Sequence, residues 1–211
     1  MTSGPIELRN REPFAIGGTR LCYLDPTDES RCIKVLRSDR TPNERRRLAT
    51  GLRKFRSLRH WDDQLKERLA YQELISRHGD SVWDHIPEFY EAVETDLGIG
   101  IVTKVFRNYD GAFPLNLDQQ IPLGIDTPLQ VAIDEFKYWL RSELVLTRNL
   151  LPHNIIAVRD VADCCRLVIV DGLGNSEWIP IASWFKAVAR LKIERKISRF
   201  DERIQLLRTD I

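Results

Sequence analysis

Apolar and polar positions change period several times along the chain. Pro13–Asp25 and Arg31–Leu36 make two short strand-like runs, joined by Pro26-Thr27-Asp28-Glu29-Ser30, a turn by composition. Asn43 ahead of Glu44 predicts a helix start. From Asp62 to His78 the spacing is helical: Leu65, Leu69, Ala70, Leu74 and Ile75 recur, and Gly79 ends the run. Gly98–Phe106, GIGIVTKVF, predicts a buried strand, and Asn108-Tyr109-Asp110-Gly111 a turn. Helical spacing returns from Pro128 to Glu143 through Leu129, Ala132, Ile133, Phe136, Tyr138 and Leu140. Two apolar runs, Asn154–Val158 and Arg166–Val170, flank a loop near Asp160–Cys165 and predict a hairpin. From Ile181 to Leu207, Trp184, Phe185, Val188, Leu191 and Ile193 mix with Arg190, Lys192, Arg195 and Lys196, predicting helices with a core face and a solvated face.

Composition narrows the class. With 211 residues there is length for one large domain or two small lobes with a real core. The net charge of +1 gives no whole-chain pull toward nucleic acid or membrane. No run of about 18 apolar residues predicts a transmembrane helix. The first residues, MTSGPIELRNREPF, lack a signal-peptide core. Cys22, Cys32, Cys164 and Cys165 have no zinc-type spacing and read as reduced core thiols. The expected location is the cytoplasm.

Charge is unevenly spread, however. Arg37–Arg59 holds nine Arg and Lys residues against Asp39 and Glu44. Such a run is ordinarily a solvated face; its alternative is a surface for an anionic or protein partner. With little aromatic interleaving beyond Phe55 and Trp61, specific nucleic-acid recognition is not expected.

Candidate chemistry gathers at a few points. Gly17 and Gly18 permit backbone amides to approach phosphate oxygens. Lys34 lies inside the apolar run Cys32-Ile33-Lys34-Val35-Leu36, where a lysine needs a partner. Glu67 and Glu73, in the predicted helix, are the candidates. Asn154 before one hairpin run and Asp171 after the other offer an amide and a carboxylate oxygen, a pair suited to Mg2+.

These residues carry a resemblance. Arg148-Asn149-Leu150-Leu151-Pro152-His153-Asn154 resembles the protein-kinase catalytic loop, Asp171-Gly172-Leu173 its metal-binding motif, and Cys32-Ile33-Lys34-Val35 its lysine strand. Glu67, with Ala70, Tyr71 and Leu74 following, resembles the glutamate helix. More closely, nearly the whole chain resembles the small bacterial YrbL family, kinase-like and tied to the PhoP regulatory network. The shared patterns include R-C-I-K-V, I-P-E-F-Y-E-A-V-E-T-D-x-G-x-G, L-x-P-x-N-I and D-x-x-G-x-S-x-x-I-P-x-A-x-W.

The resemblance implies an α+β fold: a minimal two-lobed protein-kinase-like fold with a truncated C-lobe. The N-lobe would span 1–103, with the glycine loop, lysine strand and glutamate helix. The reduced C-lobe would span 104–211. The implied cofactors are ATP and Mg2+, with Gly17, Gly18, Lys34 and Glu67 on the nucleotide and Asn154 and Asp171 on the metal. The sequence departs from kinases in four places. Asn149 stands at the catalytic aspartate position, Ala15 replaces the first loop glycine, and Leu21 or Arg20 falls where the third is expected. Ser176-Glu177-Trp178-Ile179-Pro180 is no clear A-P-E motif. The expectation is therefore a catalytically impaired, ATP–Mg2+-binding regulatory module, a pseudokinase or weak atypical phosphotransferase. One alternative is an active small-molecule or lipopolysaccharide-type kinase that uses another base, with His153 and Glu177 as substitutes. The other is a nucleotide-free interaction protein using the basic Arg37–Arg59 face.

Overall fold

The computed structural model describes residues 4–145, 147, 150–173 and 186–209. The architecture is mixed α+β with antiparallel sheets. Its packing falls into two units: Met1–Leu69 with Glu88–Val105, and Ala70–Pro87 with Phe106–Ile211.

The first unit is built on a five-stranded antiparallel sheet. Its strands are β1 (Ala15–Ile16), β2 (Arg20–Leu24), β3 (Arg31–Leu36), β4 (Phe89–Thr95) and β5 (Gly98–Lys104), in the order β1-β2-β3-β5-β4. The Pro26–Ser30 turn forms because Asp25 accepts hydrogen bonds from the Thr27 amide and hydroxyl, and Asp28 does the same for Ser30. Alternation then sorts the strand residues. Ile33 and Val35 pack with Leu8, Tyr23 and Val102 in an apolar core on one face. Cys32 and Lys34 necessarily project to the other face, where Lys34 pairs with Cys22 on β2 and Ile101 on β5. Gly100 serves the apolar side, since a Cβ there would lie 2.6 Å from Ile33 Cγ2.

Between β3 and β4 the chain forms α1 (Pro42–Arg47), a 3-10 segment at Gly51–Phe55, α2 (Leu58–Trp61) and α3 (Asp63–His78). The α1 start lies one residue before the expected Asn43. Thr41 caps it by accepting from the Glu44 amide, and Pro42 supplies the fixed φ of the first turn. In α3, Asp62 accepts from the Leu65 amide at 2.9 Å.

The second unit contains α4 (Leu117–Gln120), α5 (Thr127–Glu143), the hairpin β6 (Ile155–Val161) and β7 (Cys164–Ile169), and α6 (Lys186–Thr209). Asp126 caps α5 by accepting from the Leu129 amide, and Leu129, Ala132, Ile133, Phe136, Trp139 and Leu140 are buried. The hairpin is longer than its apolar runs. A register shift between Val158 and Val161 lets both strands continue, so the turn shrinks to Ala162-Asp163. The Arg166–Asp160 ion pair at 3.0 Å ties the extended end. Cys164 is exposed there, not a core thiol, and none of the four cysteines is in a disulfide. The described part of the terminal stretch is one helix, α6.

Candidate functional site

In the first unit the sheet face carrying Lys34 meets the start of α3. Lys34 Nζ lies 3.8 Å from Glu67 Oε1, with the two side chains 6% and 1% exposed. Of the two candidate glutamates, Glu67 is the one set beside Lys34; Glu73 is exposed on a later turn of α3. Gln64, one turn before Glu67, donates from Nε2 to the Lys34 carbonyl at 2.9 Å and fixes the register of helix against strand.

Arg20 joins the same cluster. It is buried, ion-paired to Glu67, and donates from Nη2 to the Asp63 carbonyl at 3.1 Å. Asp63 in turn holds Arg45 at 2.6 Å and Lys66 at 3.4 Å. A carboxylate removed from water to this degree is stable as an anion only beside cations, and Glu67 has two. In the sequence Arg20 is one of two residues at the third loop-glycine position. It stands at the start of an apolar strand, two residues before the position opposite Lys34, a place that solvated arginines share and that does not mark it as buried.

Gly17 and Gly18 sit in the β1–β2 connection, where the Gly17 amide donates to the Arg20 carbonyl at 2.8 Å. A Cβ at Gly17 would make ordinary contact, and one at Gly18 would meet nothing within 4 Å. Packing therefore requires neither glycine. Cys22 and Cys32 share the Lys34 face, and a hydrogen bond with Cys22, reinforced by burial, raises the Cys32 pKa well above the ordinary thiol value.

In the second unit the hairpin brings Asn154 and Asp171 to one end. Asn154 closes the 3-10 segment Pro152–Asn154, its amide donating to the Leu151 carbonyl at 2.9 Å. Its carbonyl accepts from the Val170 amide, also at 2.9 Å, so Asp171 follows directly on the residue paired with Asn154. The half-buried Asp171 carboxylate accepts from the Gly172 amide at 2.6 Å. An amide and a carboxylate oxygen are hard donors that fit Mg2+, which fills its other positions with water and phosphate oxygens. Among the described residues no three His, Cys, Asp or Glu side chains cluster as a metal cage. Asn149, Glu177 and the Ser176–Pro180 stretch lie outside the described residues. His153 Nδ1 lies 3.4 Å from Asp118 Oδ2.

A different titratable group is embedded in this unit's apolar packing. His85 Nδ1 donates to the Leu167 carbonyl at 2.7 Å, and its ring lies 4.8 Å from Trp139 and 5.6 Å from Phe136. Burial lowers its pKa below the ordinary imidazole value, the Leu167 hydrogen bond opposing only in part.

Comparison with known proteins agrees over nearly the full length. Residues 6–205 match the family model described as PhoP regulatory network protein YrbL. The chain is similar to the "Uncharacterized protein YrbL" of Escherichia coli (strain K12), with 30% identity over 201 residues covering 92% of this chain and 86% of that protein. The protein of the same description from Shigella flexneri matches with the same identity and coverage.

Proposed function

The chain belongs to the YrbL family of PhoP regulatory network proteins, and from that premise we propose that it is a cytoplasmic kinase-like module that binds ATP–Mg2+ and regulates more than it catalyses. Asn149 stands where a kinase carries its catalytic aspartate, and an amide cannot take a proton from an attacking hydroxyl. The two kinase-like lobes, 1–103 and a reduced 104–211, belong to the same proposal.

The observation that carries the reading is the buried Lys34–Glu67 pair. A lysine held out of water against a helix glutamate is the arrangement that positions nucleotide phosphates. Lys34 neutralises phosphate charge, Glu67 aims it, and Gly17 and Gly18 leave the backbone open to phosphate oxygens. In the second unit Asn154 and Asp171 would hold Mg2+, which supplies neutralising charge to phosphate oxygens.

Thermal shift with ATP, with and without Mg2+, tests this on wild type and Asp171→Ala. A ligand that binds the native state at a hundred times its Kd stabilises it by about 2.7 kcal/mol. The expected result is a Mg2+-dependent shift in wild type that Asp171→Ala abolishes. No shift at millimolar ATP would overturn nucleotide binding.

A specific observation favours the active-kinase alternative: His153, one residue before Asn154, sits beside the Asp118 carboxylate. A carboxylate-oriented imidazole is a competent general base. This alternative requires ATP turnover that His153→Ala removes while the Mg2+-dependent thermal shift remains.

A further inference from the structure

The basic stretch after β3 is more than a solvated face. From Arg45 to Trp61 the chain carries seven Arg and Lys residues and no acidic residue. Against a whole-chain charge of +1, that leaves the remainder at −6. Some of these cations serve the fold: Arg45 pairs with Asp63, and Arg47 with Glu44 at 2.8 Å. Arg46, Arg53, Lys54, Arg56 and Arg59 are exposed.

Large apolar side chains are exposed among them. Leu48 is 67% exposed, Leu52 86% and Phe55 76%, and every residue from Thr50 to Arg59 is exposed. The Gly51–Phe55 segment and α2 contain no buried residue, so nothing in the core explains why these positions are Leu and Phe. Exposed apolar side chains occur elsewhere on the chain, as at Ile16 and Leu123, but here three fall within Leu48–Phe55 among cations alone, and clustering of that kind marks an interaction surface.

We propose that the Arg45–Trp61 segment docks peripherally on an anionic lipid bilayer, with Leu52 and Phe55 entering the acyl boundary and Arg46, Arg53, Lys54 and Arg59 at the headgroups. Charge complementarity selects this occupant. Apolar and cationic residues are interleaved here, so each Leu or Phe has a guanidinium or ammonium close by in sequence; the Lys54 ammonium lies 5.1 Å from the Phe55 ring centre. A protein would have to place acidic groups at fixed positions around each apolar pocket. A bilayer offers negative headgroups at every position and hydrocarbon just beneath. The long cationic side chains reach the headgroups while the apolar ones go deeper. No described helix is long and apolar enough to cross a membrane, so the contact is made at the surface.

Sedimentation of the full chain with phosphatidylcholine vesicles, with and without phosphatidylserine, tests the proposal. The expected result is binding to the anionic vesicles that weakens as salt rises, and little to the neutral ones. Arg53→Glu with Lys54→Glu should weaken it by roughly thirtyfold or more, from the surface attraction of each cation. Leu52→Ala with Phe55→Ala should weaken it at least tenfold while leaving the thermal melt unchanged, since both side chains are exposed. Absence of binding to anionic vesicles at low salt would overturn the proposal, as would equal binding to neutral vesicles or unaltered binding by either variant. Retention on heparin or an acidic protein without vesicle binding would assign the surface to another polyanion and overturn it as well.

Discussion

The start of α3 and the middle of α5 are both buried helix faces, and they are buried for different reasons. In α5 the inward positions are Leu129, Ala132, Ile133, Phe136, Trp139 and Leu140. In the first unit α3 turns Asp63, Gln64 and Glu67 inward. The α5 face stabilises by removing apolar area from water, about 25 cal/mol per Å2. The α3 face gains little by burial, because each charge must recover through its partners the hydration it gives up. Apolar residues of similar volume are often neutral or better for stability, so burial by itself does not account for a charged Glu67 held by Arg20 and Lys34.

The largest effects break the comparison directly. Glu67→Ala leaves Arg20 and Lys34 without their shared carboxylate and is expected to cost about 3–5 kcal/mol in urea denaturation. Phe136→Ala, at a fully buried ring in α5, should cost a similar amount, about 3–5 kcal/mol, through the cavity it opens. Glu67→Gln separates the two causes by keeping the shape and removing the charge. It should lose most of what Glu67→Ala loses. Wild-type stability in Glu67→Gln would show that the charge at α3 contributes nothing and that the two faces are alike.

A smaller effect sharpens the contrast through pH. His85 is held neutral among Trp139, Phe136 and the Leu167 carbonyl, so its folded pKa lies below the unfolded value of about 6.5. The unfolded chain therefore binds its proton first. Stability attributable to His85 is fully present above that value and is lost as pH falls from there through the lowered folded pKa. Denaturation midpoints at pH 7.5 and 5 should differ in wild type, and His85→Gln should remove part of that difference. An unchanged pH dependence in the variant would mean that His85 contributes nothing to it.

The same contrast explains what was legible in the sequence. On α5, apolar spacing and burial coincide, so the helix and most of its core face follow from the pattern; the exceptions are Tyr138, which the spacing includes but which is exposed, and Trp139, which it omits but which is buried. On α3 the pattern holds only in part. Ala70 and Leu74 are buried, but Leu69 and Ile75 are exposed, and the inward face also includes Asp63, Gln64 and Glu67. Hydrophobic periodicity cannot find a face buried by ion pairs, because its signal is apolar by construction. Lys34 was legible because it interrupts an apolar strand. Arg20 begins its strand, where polar residues are common, and nothing local separates a buried arginine from a solvated one. The Arg45–Trp61 stretch shows the converse: its charges were plain, while the exposure of Leu48, Leu52 and Phe55 among them needed the fold.

The smallest expected change is at Gly18, and it distinguishes a ligand requirement from a folding one. Glycine is commonly kept where φ is positive or where a Cβ would collide. Neither holds here: Gly18 has no left-handed φ, and a Cβ would find nothing within 4 Å. Gly18→Ala should therefore leave thermal stability within about 0.5 kcal/mol of wild type, as surface substitutions do. Gly100→Ala is the internal control, since its Cβ would press on the buried Ile33, and overpacking of that kind costs about 1–3 kcal/mol. If the backbone at Gly18 approaches phosphate oxygens, Gly18→Ala will diminish the ATP-dependent thermal shift while the unliganded melt stays put. An undiminished shift would move phosphate recognition away from the β1–β2 turn and leave it to Lys34 and its buried neighbours on the α3 side.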